Sequence, residues 1–246
     1  MTTMARDFYL DQVRAGSARL REVAVRDTSA SVPACPDWTV ADLLEHVAFV
    51  YLHKVEAIRS GVRPQPWPPD LSGREPLDLY DEARTALLAS LEGARADQPT
   101  WTFWPDDQTV GFWYRRMALE TAVHRVDAEQ AADDVTPVGA GLATDGVDEI
   151  LRVMLGGPWW SEGDTAEPVD ATVRITTGGR SWTVTLDART ATVTEGIGGE
   201  VAAEVFGDPD DVFLWLWGRR PGDAIRVAGD DDVVRRFRTR LAEALT

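Results

Sequence analysis

The run VPACPDWTVADLLEHVAFVYLHKVEAIRSG, residues Val32 to Gly61, decides how the first half of the chain is built. Thr39 and Asp42 stand three apart, the spacing of a capping box that opens a helix, and Gly61 ends the run as a C-terminal stop. The apolar positions between them recur at helical spacing, so Thr39–Gly61 reads as one long amphipathic helix. The run also holds the only cysteine and two of the three histidines. His46 and His53 are seven residues apart, which puts them on one helix face but roughly 10 Å apart along the axis, too far to share one small ion. Cys35, eleven residues before His46, poses a choice between a nucleophile served by that histidine and a bystander. Its place in a Pro-bounded loop favours a small buried apolar role.

Reading outward, MARDFYLDQVRAGSARLREVAV carries apolar residues at helical spacing, PLDLYDEARTALLASLEGARAD begins with Pro76 at a first helical position, and GFWYRRMALETAVHRVDAEQAA is a further helix. Four helices of about twenty residues form a bundle, whose interior is a common place for metal sites. A shorter fifth helix, TDGVDEILRVMLGG, follows. Past GGPWWSEGDTAEP the period changes. ATVRITTGGRSWTVTLD alternates around a Gly-Gly turn and reads as a hairpin. ATVTEGIG and VAAEVFG are further strands, then come the helix PDDVFLWLWGRR, the strand DAIRVAG and the amphipathic helix DDDVVRRFRTRLAEALT. The expected fold is therefore a two-domain α+β chain, a helical domain over 1–157 and an α+β domain over 166–246, with the boundary near Gly157–Pro168.

Composition narrows the function. A net charge of −16 excludes nucleic acid, whose phosphates need a basic surface, and disfavours an anionic membrane. No run approaches the ~18 apolar residues of a membrane span. The start MTTMARDFYLDQV lacks the pattern of a secretory signal, and one cysteine cannot form an internal disulfide, so a cytoplasmic, reducing location is expected. Lys54 is the only lysine and asparagine is absent, the mark of GC-rich coding and of an actinobacterial source.

The chemistry starts at ETAVHRVDAE. Glu120 and His124 are four apart, one turn on the same face, where a carboxylate and an imidazole can converge on a cation. His46 from the second helix would complete three ligands and leave one position open. An exposed helix pair has the same spacing, and Arg116, also four residues from Glu120, offers it a plain ion pair. His53, beside Lys54 and Glu56, reads as a rim residue. Asp127 either orients a ligand or braces Arg125.

VPACPDWTVADLLEHVA and ETAVHRVDAE, in this order and on the second and fourth helices, resemble the two signatures of the mycothiol-dependent maleylpyruvate isomerase family. The segment FLWLWGRRPGDAIRVAGDDDVVRRF is similar to that family's C-terminal domain, so the resemblance covers nearly the whole chain. It implies a DinB-like four-helix bundle followed by a small sterol-carrier-like α+β domain. It implies further that His46, Glu120 and His124 bind a divalent metal, with zinc the usual ion, and that mycothiol is the cosubstrate. Arg219 sits where the family places a functional arginine, and Arg220 leaves that alignment open by one residue. A helix C-terminal arginine satisfying the last carbonyls would look the same.

With mycothiol supplying the sulfur, Cys35 is left out of the chemistry. The expected activity is a thiol S-transferase in which a metal-bound thiolate attacks an electrophilic small molecule, with Arg219 clamping a substrate carboxylate. The alternatives are a cis–trans isomerase of maleylpyruvate-like acids, a metal hydrolase and a non-catalytic metal- or ligand-binding protein. The expected state is a monomer or homodimer.

Overall fold

The computed structural model describes residues 4–71, 73–158, 169–187 and 190–245. They form two compact units, Met1–Thr136 and Pro137–Thr246.

The first unit is the expected four-helix bundle of α1 (Arg6–Ala24), α2 (Val40–Ser60), α3 (Pro76–Gly93) and α4 (Val110–Ala131). Its main packing pairs are α1 with α4 and α2 with α3. Lesser contacts of α2 with α4 and of α1 with α3 close the ring and set α1 and α2 on a diagonal. The capping box is present: Thr39 N–H donates to Asp42 Oδ2 at 2.8 Å, and Asp42 N–H donates back to Thr39 Oγ1 at 3.3 Å. Gly61 ends α2 at φ 76°, a left-handed position that glycine adopts without a Cβ clash. Leu20, Leu43, Leu44, Leu87 and Trp113 form the centre of the core, each fully buried.

α4 is buried almost all round and takes charges with it. Arg115, Arg116, Arg125, Asp127 and Glu129 are all buried. Such charges survive burial only when paired and hydrogen-bonded. α4 is therefore the helix on which the bundle's internal polar chemistry is concentrated.

The second unit opens with α5 (Ala140–Glu149), which runs on as a π-helical turn over Ile150–Leu155. By sequence this helix falls within 1–157, with the bundle. In the structure it packs on α6 (Pro209–Leu216), and Asp148 binds it to the sheet, accepting from Trp182 Nε1 at 2.8 Å and Arg180 Nη2 at 3.1 Å. Asp210 of α6 caps the start of α5 through the amides of Val138 and Gly139. The boundary stretch Gly157–Pro168 lies mostly on residues 159–168, outside those described.

The sheet has the order β3-β2-β1-β4-β5. β1 (Ala171–Thr177) and β2 (Arg180–Leu186) are the expected hairpin. Gly178 and Gly179, at φ 56° and 75°, form a turn with two positive φ values that matches strand twist. β3 (Ala191–Glu195) extends it, and β4 (Ala203–Phe206) returns parallel to β1, with β5 (Arg226–Gly229) antiparallel at its far side. Val173, Ile175 and Val205 are buried in the sheet, α7 (Asp231–Glu243) packs on β1 and β4, and its Phe237 stacks on Trp215 of α6. Among the described residues no helix is long and apolar enough to cross a membrane.

Candidate metal centre

α2 and α4 bring the three expected ligands together. The ligand atoms of His46, Glu120 and His124 all lie within 4.8 Å of one another. Glu120 Oε1 is 3.2 Å from His124 Nε2 and 3.7 Å from His46 Nε2. Four donors in a tetrahedron with bonds of about 2.0–2.1 Å stand roughly 3.3 Å apart. The three groups are therefore already near the spacing that a small divalent ion requires. Tyr51 of α2 and Thr121 of α4 share a buried hydrogen bond of 2.6 Å that fixes the two helices beside them.

The surrounding residues prepare each donor. Asp127, fully buried one turn beyond His124, faces its Nδ1 at 2.9 Å. That contact turns Nε2 toward Glu120, the carboxylate–histidine–metal arrangement common around zinc. Arg116 binds Glu120 Oε2, leaving Oε1 for the histidines. The ion pair with Arg116 and the metal reading are thus compatible, one on each carboxylate oxygen. Trp38 packs on His46 with ring centres 4.9 Å apart. The side chain of His46 is 38% exposed, against 10% for His124 and 14% for Glu120, so the triad opens to solvent on the His46 side.

The electrostatics favour a cation at this point. Burial alone would raise the Glu120 carboxyl, but Arg116 and then His124 and His46 hold it well below its usual range. Burial alone would lower His124, yet Glu120 and Asp127 outweigh it and lift the imidazole to about 9.

Other candidates fall elsewhere. His53 stays out of the triad and stands half-buried between Trp67 and Trp101. Cys35, expected to be buried, is partly exposed, with Sγ 3.9 Å from Asp127 Oδ2. Arg219 belongs to the second unit, where its Nη1 donates to Trp217 O at 2.7 Å and its amide to Leu214 O at 2.7 Å, just past the end of α6. Arg220 faces Asp211 at 3.6 Å. Trp38 and Lys54 join the surroundings of the site without a motif that assigns them a role. Lys54 carried one available signal, as the chain's only lysine.

Two family models match the chain. Residues 9–129 match the mycothiol maleylpyruvate isomerase N-terminal domain, and residues 141–236 match the MDMPI C-terminal domain. Among solved structures, the crystal structure of a mycothiol-dependent maleylpyruvate isomerase is similar with a TM-score of 0.64 at 14% identity, over 93% of this chain and 96% of that one. A mutant of a mycothiol-dependent maleylpyruvate isomerase gives 0.62 at 13% identity, with the same coverage. A UbiJ-SCP2 ubiquinone synthesis protein covers 43% of this chain and 93% of its own, at 19% identity and a TM-score of 0.31. No curated protein matches this chain in sequence. At such identities the two isomerase structures establish a shared fold, while the family models account for most of the sequence. The chain belongs to the mycothiol maleylpyruvate isomerase family.

Proposed function

We propose that this protein is a metal- and mycothiol-dependent enzyme in which a thiol is activated beside His46, Glu120 and His124 and adds to an electrophilic small molecule. The observation that carries the reading is the convergence of two imidazoles and one carboxylate, opening to solvent on one side. A divalent ion bound there, with zinc proposed, would supply the Lewis acidity that deprotonates a coordinating thiol near neutral pH.

The chain's own residues do the rest. Asp127 holds the Nδ1 side of His124, and Arg116 fixes the rotamer of Glu120 through its second oxygen. Trp38 limits the swing of His46, the most exposed ligand. Preorganisation of this kind keeps ligands from rearranging during turnover. Arg219 is proposed to hold one carboxylate of the substrate.

Two outcomes share the first step. The sulfur bonds to carbon as a carbon–carbon π pair moves to the neighbouring atom. If that atom takes a proton, the product is a thioether and the enzyme is a detoxifying S-transferase. If the adduct rotates and expels the thiolate, the π bond re-forms in the trans arrangement and the enzyme is an isomerase. Similarity to a maleylpyruvate isomerase favours this second outcome.

The deciding experiment is metal analysis of purified protein, followed by an electrophile screen with and without mycothiol. A product heavier by one thiol supports the transferase, and a product of unchanged mass that forms only with mycothiol supports the isomerase. Turnover indifferent to mycothiol points to a hydrolase. An absence of turnover across the screen points to a binding protein.

A further inference from the structure

His46 meets Glu120 and His124, while Lys54, eight residues later on α2, meets Trp113, earlier on α4. The two helices are therefore antiparallel, and Lys54 lies two turns from the triad along the same seam. Its Nζ is 5.0 Å from the centre of the Trp113 ring and 3.3 Å from His53 Nδ1. Among the described residues no carboxylate forms an ion pair with it. Helical side chains lean toward the N-terminus of their helix, so the Lys54 stem leans back toward the level of His46. The ammonium is close enough to Glu120 and Arg116 to feel both charges. Burial draws Lys54 down to about 8, with Glu120 opposing and Arg116 reinforcing that fall.

An ammonium carries three donors, and here one faces an imidazole while the ring of Trp113 covers another side. An ammonium half-buried without a carboxylate costs free energy, and an anion bound beside it would offset that cost. Trp101 and Trp67, on either side of His53, supply apolar wall beside it. We propose that Lys54 docks a carboxylate of the electrophile, so that the bundle itself selects an anionic substrate. Lys54 is then a specificity-determining residue that binds substrate away from the reacting carbon. This rests on the triad being the place of reaction.

The test uses the full chain loaded with zinc, and two variants, Lys54→Met and Lys54→Arg. Methionine keeps the length and apolar stem of lysine without its charge. Binding of glutarate, an unreactive dicarboxylate, is followed by tryptophan fluorescence and calorimetry beside glutaramide, its uncharged counterpart. Near-ultraviolet circular dichroism and zinc stoichiometry confirm that each variant is folded and loaded. Lys54→Met should weaken glutarate at least about tenfold, the scale of one charge-assisted hydrogen bond. Lys54→Arg should retain most of the affinity, and glutaramide should be insensitive to both changes. Equal glutarate binding by Lys54→Met and the parent chain would overturn the proposal, as would parallel losses for both ligands or no glutarate binding by the parent. The measurement needs neither mycothiol nor turnover, so its failure and the failure of the proposed activity are separate results.

Discussion

Two ionic clusters share α4, less than three turns apart, and only one of them has the makings of a reaction site. Around Glu129, Arg19 donates at 2.9 Å and Arg125 at 2.7 Å, while Thr136 donates through both its amide and its hydroxyl. Arg19 and Arg26 continue to Asp134 and Glu22. Three arginines, Arg19, Arg26 and Arg125, thus meet three carboxylates, Glu22, Glu129 and Asp134, and their charges cancel. The triad cluster sets Arg116 against Glu120 and Asp127 and adds two imidazoles. Counted over these five residues alone, one arginine stands against two carboxylates, and a proton or a metal would balance them. Arg125–Glu129 and Glu120–His124 have the same four-residue spacing. The chemistry is set by charge balance and by the open side at His46, neither of which the spacing reveals.

The largest effects should separate the clusters completely. Alanine at His46 or His124, or glutamine at Glu120 so that Arg116 keeps an acceptor, should abolish stoichiometric metal and lower mycothiol-dependent turnover by more than about a hundredfold, with the fold retained. Glu129→Ala should do the reverse. It removes the buried carboxylate that Arg125 and Arg19 share and should cost about 3 kcal/mol in urea unfolding while zinc content stays unchanged. A Glu129→Ala protein that is stable but metal-free would break the comparison.

Much of this was legible in the sequence. The Thr39–Asp42 box, the Gly61 stop and the Gly178–Gly179 turn specify their elements locally, and the structure contains all three. The triad could be named because two short signatures carry it on two helices. The all-round burial of α4 was not legible, since periodicity counts apolar positions and α4 buries charges that neutralise one another across the bundle. Nor was the allegiance of α5, whose decisive contact, Asp148 with Trp182 and Arg180, spans more than thirty residues. Lys54 could be seen as unusual, but its position against Trp113 required the fold.

A finer cut lies within the triad cluster. Asp127→Asn keeps the size of the side chain but replaces an anionic partner of His124 Nδ1 with a neutral one. Metal affinity should fall by about 10–100-fold, the usual cost of removing such a support, and stability should change little. A thermal unfolding loss comparable to that of Glu129→Ala would place Asp127 with the balanced cluster instead.

The two clusters should also respond oppositely to pH. Burial would raise Glu129, but Thr136 and Arg19 hold it below the usual carboxylate range. Its contribution is complete above the unfolded value and lost as pH falls through the lower folded one. His124, lifted to about 9 in the metal-free protein, stabilises that state most below the ordinary histidine value, about 6.5. That contribution is lost as pH rises through about 9. A metal must displace the same proton, so zinc affinity should rise by up to about tenfold per pH unit until about 9 and then level off. Competitive chelator titrations from pH 6 to 10 measure the slope. A flat profile would show that zinc displaces no proton from His124 over this range.

The smallest effect tests whether the cysteine has been correctly left out. Cys35 sits in a tight turn, its amide donating to Val32 O and its carbonyl accepting from Trp38, so backbone bonds hold it in place whatever its side chain. Its sulfur is 3.9 Å from Asp127 Oδ2, a weak contact for a thiol donor. Serine keeps a donor for Asp127 and removes the sulfur. Cys35→Ser should therefore leave kcat within about twofold and zinc affinity nearly unchanged, if the attacking sulfur comes from mycothiol. A hundredfold loss of kcat in a folded, zinc-loaded protein would make Cys35 the nucleophile and reduce the triad to its support.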